Sequence, residues 1–371
     1  MNLNPTPHRD LPSDTTELSE KNLREQFEAR EQRFISPFGC LSSKARRKVN
    51  DTTPCVVRTA FQQDRDRIVY SNAFRRLKYK TQVFLNPLGD AYRTRLSHTL
   101  EVAQIARTIA RAMFLNEDLA EAIALGHDLG HTPFGHGGEI ALKEIYSPHF
   151  THNRQSLRVV DCLENNGRGL NLTLEVLDGI RKHSKGFGQV MPENPAELPI
   201  TAEGRIVRFA DIMAYLNHDL DDAIRSGVIE SHQVPETCLR ILGHSHSERA
   251  IRMIRDLIAS SRATKDGLVL QMSAPINEAM QALRHFLYEN VYRSERVHRE
   301  FVKAKKILSD LYAHFLGNDA DLHKELRTLE MHGCHSHAPQ RERLVCDLLA
   351  SMTDRYAMNL YRRIFFPSPT V

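Results

Sequence analysis

Helical periodicity is the feature of this 371-residue sequence that most restricts its fold. Between residues 98 and 113, apolar side chains recur three and four positions apart, which places them on one face of a helix. They are Leu100, Val102, Ala103, Ile105, Ala106, Ile109, Ala110 and Met113. We predict further helices at 117–128, 136–144, 155–166, 173–183, 202–226, 246–262, 276–290, 294–316 and 339–364. No segment alternates clearly with a two-residue period, so the sequence predicts an almost all-α fold.

The predicted organisation has three parts. Residues 1–34 begin with a polar stretch rich in Pro, Ser and Thr and continue with many charges, so we expect a flexible polar N-terminal arm. Residues 35–230 form the helical core, and residues 231–371 form a C-terminal helical region packed on it. The Gly, Pro and Asn-rich stretch 184–199 is predicted to be a long loop.

Composition excludes several classes of protein. No apolar run approaches the ~20 residues that a membrane span requires, so no membrane partner is expected. The net charge of +4 neither requires nor forbids a nucleic acid, and single-stranded nucleic acid is a possible partner that nothing else indicates. The six cysteines lie far apart without a CxxC pair, which favours free thiols in a reducing compartment and a cytoplasmic protein.

Three separate segments carry residues suited to binding a metal ion. His98 lies near the start of one predicted helix, His127-Asp128 closes the next, and Asp211 lies inside a third. A single such histidine would by default be a buried core residue. Two imidazoles and two carboxylates together would form a nitrogen–oxygen site suited to Mn, Fe, Co, Ni, Zn or Mg. Four ligands leave positions for water and a substrate oxygen, as catalytic sites require.

The segment after His127-Asp128 is unsuited to a protein core. It holds His131, His136 and Glu139 among glycines and a proline, which indicates a polar pocket lined by a tight loop. His136 and Glu139 are three positions apart and would share a helix face. A carboxylate there could orient the imidazole and raise its pKa, which suits a general acid.

These residues and their surroundings resemble the dGTP triphosphohydrolase branch of the HD superfamily of metal-dependent phosphohydrolases. The resemblance covers roughly residues 35–365. It rests on four blocks in order, which are SNAFRRLKYKTQVF (71–84), HDLGHTPFGHGGE (127–139), HNRQS (152–156) and DIMAYLNHD (211–219). It implies an all-α HD-domain bundle with additional C-terminal helices, in which residues 35–230 are the phosphohydrolase core.

The resemblance also implies an activity. Members split a dNTP, either dGTP or several dNTPs, into a deoxynucleoside and inorganic triphosphate, which controls the dNTP pool. Carried over position by position, the ligands of a divalent ion (Mg, Mn or similar) would be His98, His127, Asp128 and Asp211. The catalytic residues would be His136 paired with Glu139, together with His131 at the α-phosphate. The substrate-binding residues would be Arg95, Gln82, His152, Tyr215 and Asp219.

Helical spacing supports part of this assignment. Asp211, Tyr215 and Asp219 lie four residues apart, so they share one helix face. A metal ligand, an aromatic ring and a carboxylate in a row could contact phosphate, deoxyribose ring and 3′-hydroxyl in that order. The alternatives are a core aromatic for Tyr215 and a surface charge or helix salt bridge for Asp219.

Other functions and partners remain open at this stage. One alternative is a different HD enzyme, such as a 5′-nucleotidase or a cyclic-nucleotide phosphodiesterase, and another is a non-enzymatic nucleotide-binding or single-strand-binding regulator. The resemblance suggests a homo-oligomer with a possible dNTP allosteric effector, for which the basic runs 44–48 and 293–306 are candidate contacts. The tract 332–337, rich in His, is predicted to be a polar loop, with a structural zinc site as the weaker alternative.

Overall fold

The computed structural model describes residues 23–50, 54–83, 93–183, 192, 194–265, 267–331 and 340–367. In these ranges the chain is helical apart from one short hairpin, which confirms the predicted all-α class. The helices are α1 (Leu23–Phe34), α2 (Ala60–Val69), α3 (Asn72–Arg76), α4 (Arg95–Ala112), α5 (Glu117–Gly126), α6 (Gly135–Ile145), α7 (His152–Arg158), α8 (Glu164–Gly167), α9 (Leu174–Lys182), α10 (Ala202–Arg225), α11 (Glu236–Leu242), α12 (His246–Ser260), α13 (Ala274–Leu287), α14 (Glu295–Gly317), α15 (Asp319–Thr328), α16 (Arg341–Ser351) and α17 (Asp354–Phe365).

Shorter elements complete the fold. Single 3₁₀ turns lie at Ser42–Lys44, Leu77–Tyr79, Pro195–Glu197 and Ser231–Gln233, and π-helical turns at Val159–Leu163 and Tyr288–Tyr292. The antiparallel strands β1 (Arg262–Thr264) and β2 (Gly267–Val269) form a hairpin that the periodicity did not predict. Three residues per strand are too few to show an alternating pattern in the sequence.

Three helices form the centre of the first helical group, because α4, α5 and α10 all pack against one another. Their N-terminal caps are Thr94, Asn116 and Thr201, each of which accepts a hydrogen bond from a backbone N–H three residues later. Such caps satisfy donors that a helix start would otherwise leave unpaired. The caps fix the residue at which each helix begins. They therefore also fix the positions of His98, His127 and Asp211 along the helix axes.

Two apolar clusters hold the helices together. The larger runs from Phe61 on α2 to Val291, and it includes the buried faces of α4, α5, α9 and α10. The second joins Phe134, Leu142 and Phe150 to buried side chains of α14 to α17. The helix α6 packs against α14, which is distant in sequence, and α11 to α13 extend the first cluster. The two clusters therefore do not coincide with the parts predicted on either side of residue 230.

Several predicted boundaries differ from the observed ones. Residues 23–34 were assigned to the flexible arm but form α1, while residues 1–22 lie outside the described ranges. The predicted helix 339–364 is two helices, because Met352 is extended and Thr353 caps a new helix by accepting from Tyr356 N–H. Most of the predicted loop 184–199 and the whole tract 332–337 also lie outside the described residues.

The prediction of free thiols requires a correction. Cys40, Cys55, Cys238 and Cys346 are free, but Cys162 is disulfide-bonded. Separation along the sequence does not prevent two cysteines from meeting once helices pack, so the missing CxxC pair was a poor guide. Among the described residues, no helix is both long enough and apolar enough to cross a membrane.

The basic run 44–48 is largely neutralised by acidic residues from elsewhere in the chain. Arg47 Nη1 lies 2.5 Å from buried Asp64 Oδ1, and Lys48 Nζ lies 2.6 Å from Asp161 Oδ2. Arg46 Nε lies 3.3 Å from Glu175 Oε1. These pairs tie the segment to the first cluster, so the run offers less free positive charge to a phosphate than its sequence suggests.

A half-buried ionic contact at the start of α12 gives a prediction for stability. His246 Nε2 lies 2.6 Å from Glu101 Oε1, and its Nδ1 lies 2.9 Å from Asp221 Oδ2. Hydrogen bonds from His246 to Asp221 and Glu101 raise its pKa to about 9. Because the pKa of His246 is higher in the folded than in the unfolded protein, its protonation stabilises the folded state. This contribution is complete below the unfolded pKa of ~6.5 and disappears as the pH rises through about 9.

We therefore expect His246→Ala to lower the free energy of unfolding by ~1–2 kcal/mol near pH 6, after allowance for partial solvent screening. In urea titrations at several pH values, the difference in unfolding free energy between variant and wild type should shrink steadily from pH ~6.5 to about 9. The matched control is His232→Ala, because His232 and its partner Glu230 are both largely exposed. An equal loss at pH 6 and pH 10 would contradict the ionic explanation.

Candidate active site

A cavity of about 660 Å³ opens between α4, α6, α7, α10 and the C-terminal helices. Eleven of the twelve predicted site residues line it, namely Gln82, Arg95, His98, Asp128, His131, His136, Glu139, His152, Asp211, Tyr215 and Asp219. The twelfth, His127, is fully buried directly behind this wall. The structure thus brings together residues that lie up to 137 positions apart in the sequence, as the step from Gln82 to Asp219 shows.

The four predicted ligands meet at the base of the cavity. His98 Nε2 lies 3.2 Å from Asp211 Oδ1 and 3.7 Å from Asp128 Oδ2. His127 Nε2 lies 3.4 Å from Asp128 Oδ1 and 3.8 Å from Asp211 Oδ1. Burial alone would raise the pKa of the Asp211 carboxyl, but His98 and His127 hold it well below its usual value. Both carboxylates are therefore ionised, as metal ligands must be.

One buried nitrogen tests whether this cluster fits a metal. His127 Nδ1 donates to the carbonyl oxygen of Ala124 at 2.5 Å, so its Nε2 carries the lone pair. That Nε2 is buried and has no hydrogen-bond partner among the described residues. An unpaired buried acceptor is costly unless something else binds it. Its position between two carboxylates suits a divalent cation, and the N/O donor set agrees.

A second group of polar residues lies beside this cluster. The rings of His131 and His152 stack with centroids 4.1 Å apart, and His131 Nε2 lies 3.2 Å from Asp128 Oδ1. His152 Nδ1 lies 2.9 Å from Glu139 Oε2, and its Nε2 lies 3.1 Å from His183 Nε2. Histidine 183 was not predicted as a site residue.

The hydrogen bonds determine the charge of His152. His183 Nδ1 faces the carbonyl oxygen of Ile180 at 2.8 Å and must donate to it, so His183 Nε2 is an acceptor. His152 consequently donates through both nitrogens, which only the imidazolium form can do. Burial lowers the pKa of His152, but the carboxylate of Glu139 outweighs burial and the net shift is upward. Burial and the nearby His127 lower the pKa of His183 to about 3.

The predicted pairing of His136 with Glu139 requires a correction. Glu139 contacts His152 and Lys143 Nζ, and no hydrogen bond joins it to His136 in the described part of the chain. Both residues lie in the first turns of α6, but Glu139 is buried while His136 is exposed to the cavity with its ring 6.5 Å from that of Phe301. Helical spacing placed the two on nearby faces, but Glu139 pairs with the cationic His152 instead. Burial lowers the pKa of His136 more than the charge of Glu139 raises it, so the predicted increase does not occur.

Close backbone packing holds the loop between α5 and α6. A Cβ added to Gly130 would lie 2.0 Å from the backbone nitrogen of Ser156, so α7 can approach only because residue 130 is glycine. Gly135 has a φ of +56°, and a Cβ there would lie 2.6 Å from the carbonyl oxygen of Gln82. The buried amine of Lys80 donates to the carbonyl oxygen of His131 from the other side. These contacts explain how a loop of glycines and histidines keeps one shape.

The far end of the cavity is formed jointly by α10 and the C-terminal helices. Tyr215 and Asp219 point into it from α10, and Gln82 lines the same cavity with no partner for its Oε1 among described residues. Tyr292 donates its hydroxyl to Asp219 Oδ2 at 2.5 Å. Arg284, Tyr288 and Phe301 were also missed as cavity residues. They lie far from the recognised blocks, so the sequence gave no local signal for them.

Arg95 and His218 each contact one of the predicted metal ligands directly. Arg95 was predicted to reach the substrate, and its Nη1 lies 2.7 Å from Asp128 Oδ2 while it still lines the cavity. His218 was missed, and its Nε2 lies 2.8 Å from His98 Nδ1. A signal for His218 was present, since it follows Asp211 by seven residues, or two helical turns, on the same face of α10.

Comparisons with known proteins agree with this geometry. The HD domain family model matches residues 95–216, which include all four predicted ligands, and the phosphohydrolase-associated domain model matches residues 270–363. The two matches define the chain as an HD-domain hydrolase, with a second recognised unit that supplies one wall of the cavity.

Curated relatives identify the family. A deoxyguanosinetriphosphate triphosphohydrolase-like protein of Desulfatibacillum aliphaticivorans is 60% identical over 349 residues, covering 94% of this chain and 99% of the relative. Proteins with the same description from Caldanaerobacter subterraneus subsp. tengcongensis and Clostridium perfringens are 49% and 42% identical over 348 residues, covering 94% and 93% of this chain and 97% and 98% of theirs. The chain belongs to the deoxyguanosinetriphosphate triphosphohydrolase-like family of HD-domain hydrolases.

Proposed function

We propose that the chain hydrolyses dNTPs, with dGTP among them, to a deoxynucleoside and inorganic triphosphate in a metal-dependent reaction in the cytoplasm. The observation that carries the proposal is the cavity, which joins a nitrogen–oxygen cluster to a wall bearing Tyr215 and Asp219. A bound divalent ion would polarise the α-phosphate and lower the pKa of a coordinated water. His98, His127, Asp128 and Asp211 would hold it.

The remaining residues act on the triphosphate and its protons. The His152 cation and Arg95 place positive charge beside the cluster, which favours the negative charge of a bound triphosphate. His131 stacks on His152 and would contact the α-phosphate. Both N–H groups of His152 are already engaged, whereas His136 is exposed to the cavity and has no hydrogen-bond partner among the described residues. We therefore assign protonation of the leaving 5′-oxygen to His136, with Glu139 acting through its nearby charge and through His152.

A product assay tests the proposal. Each of the four dNTPs would be incubated singly and in mixtures with Mg²⁺ or Mn²⁺, and the phosphate products separated by ion chromatography. Inorganic triphosphate in equal amount to the deoxynucleoside is expected. Orthophosphate from nucleoside monophosphates, or turnover of cyclic nucleotides, would instead assign the chain to another reaction of the HD class. Tight nucleotide binding without turnover would indicate a regulator.

Selection of deoxyribose gives a second prediction. The Tyr215 ring faces the cavity beside Asp219, so a bulky wall would occupy the space that a 2′-hydroxyl needs. Tyr215→Ala should reduce the preference for dGTP over GTP, measured as the ratio of kcat/KM values, by ~10–200-fold, the range for loss of a shape-based contact. Tyr79→Ala is the control, because Tyr79 is largely exposed and does not line the cavity. An unchanged ratio in Tyr215→Ala would assign that ring to packing alone.

Assembly as a homo-oligomer with a dNTP effector also remains a prediction. The run 293–306 is partly paired within the chain, for example Lys306 Nζ with Asp310 Oδ2 at 2.8 Å, but several of its cations are exposed. A triphosphate between subunits would supply charge-assisted contacts there. Sedimentation with and without dNTP should show a larger species when nucleotide is present, and a constant monomeric mass would oppose the prediction.

A further inference from the structure

His218 is a buried polar residue next to the candidate metal cluster, and the proposed mechanism does not use it. Its ring is fully buried on α10, and its Nε2 lies 2.8 Å from Nδ1 of His98, which is itself only 1% exposed. We propose that His218 is a positioning residue that fixes the tautomer of His98, and that Asp219 holds His218 in place. This inference rests on the proposed function in one respect, since it takes His98 as a metal ligand.

Only one arrangement of protons is compatible with the contacts of His218 to both His98 and Asp219. His98 Nε2 faces Asp211 and Asp128, so a cation held there requires the lone pair on Nε2 and the proton on Nδ1. His98 Nδ1 then donates to His218 Nε2, which must be unprotonated. The proton of neutral His218 consequently lies on its Nδ1.

The other end agrees with this arrangement. His218 Nδ1 lies 2.7 Å from Asp219 Oδ1. The two residues are neighbours on one helix, so this is an electrostatic contact and not an in-line hydrogen bond. A lone pair on Nδ1 would face the carboxylate oxygen and be repelled, whereas an N–H is attracted. The opposite tautomer of His218 would therefore be unfavourable at Asp219 and would also place the His98 proton on the nitrogen that faces the cluster.

Burial makes the arrangement effective. Asp219 is 3% exposed, and its second oxygen accepts the Tyr292 hydroxyl, so the carboxylate is held from both sides. A hydrogen-bonded partner behind a ligating histidine orients the ring and makes its free nitrogen a better donor to a metal. Asp219 thus has two roles: it supports His98 through His218, and it would meet the sugar of the substrate.

The two roles can be separated by measuring metal binding without any nucleotide. Mn²⁺ alone would be titrated into apo protein and followed by electron paramagnetic resonance of the free ion. His218→Phe keeps the volume but removes the acceptor, and it should raise the Kd for Mn²⁺ by ~10–100-fold, the usual effect of losing such a partner. His218→Gln can place an amide oxygen near the former Nε2 and should restore most of the affinity.

Asp219→Ala provides the second measurement. If Asp219 serves only the sugar, the Kd for Mn²⁺ should equal that of wild type, whereas our inference requires a weaker affinity, with a smaller loss than in His218→Phe. The matched control is Asn217→Ala, because Asn217 is a fully buried neighbour on α10 whose amide oxygen accepts from Arg249 Nε at 2.8 Å and does not contact His98. This variant should lose stability but keep its affinity for Mn²⁺.

His98→Ala separates failure of this inference from failure of the proposed function. Strong Mn²⁺ binding in His98→Ala would remove the ligand assignment on which both rest. Loss of binding in His98→Ala with wild-type affinity in His218→Phe would overturn only the role of His218. If His218→Phe does not fold, as judged by circular dichroism, the comparison of His218→Gln with His218→Asn replaces it. Asn is too short to reach His98, so equal affinities in that pair would equally contradict the inference.

Discussion

Replacing Asp211 by alanine should abolish metal binding and activity together. Asp211 Oδ1 is the carboxylate oxygen that lies within 3.8 Å of both His98 Nε2 and His127 Nε2. Without it, two imidazoles and one carboxylate remain, and Asp128 is already shared with Arg95 and His131. A metal contributes several kcal/mol to a phosphoryl transition state, so kcat/KM for dGTP should fall by at least ~10³-fold.

Thermal unfolding would report the metal independently of activity. An ion that binds only the folded state raises Tm, so Mn²⁺ should increase the Tm of wild type and leave that of Asp211→Ala unchanged. Asp222→Ala is the matched control, because Asp222 is a buried carboxylate on α10 that does not line the cavity. It should retain both the Mn²⁺-induced shift in Tm and most of the activity. Full activity of Asp211→Ala, or of wild type in excess chelator, would refute the metal assignment.

The second large effect is expected at His136. His136→Ala should retain Mn²⁺ and dGTP binding, while its single-turnover rate falls by ~10²–10⁴-fold, the usual contribution of a general acid. The structural reason is that His136 is exposed to the cavity without a hydrogen-bond partner among the described residues, whereas the N–H groups of His152 are engaged by Glu139 and His183.

Glu139→Gln distinguishes the two histidines. Glu139 holds the cationic form of His152, so its neutral replacement should weaken triphosphate binding and raise KM for dGTP, in addition to any fall in kcat. If Glu139 served only to orient His136, KM would be unchanged and kcat alone would fall. A normal single-turnover rate in His136→Ala would reduce His136 to packing of the loop.

The sequence alone determined the class of fold and supplied the candidate residues of the cluster. Apolar spacing gave α4, α5 and α10 because a helix that buries one face must repeat its apolar residues with the helical period. The spacing of Asp211, Tyr215 and Asp219 placed them on one face of α10, where the structure has them lining the same cavity. Residue order and type were sufficient for these predictions, because each concerns the relative positions of residues within one helix.

Relations between elements were decided only by the tertiary structure. Glu139 contacts His152 and not His136, and Tyr292, which follows α13, donates to Asp219 on α10. His183 gave no signal because a lone histidine after a helix has no periodic partner. Each of these contacts joins side chains whose separation depends on how helices pack, and local spacing carries no information about that distance. The sequence therefore names most of the polar residues that line the cavity, while the packing of α6, α7 and the C-terminal helices on α10 determines which of them contact one another.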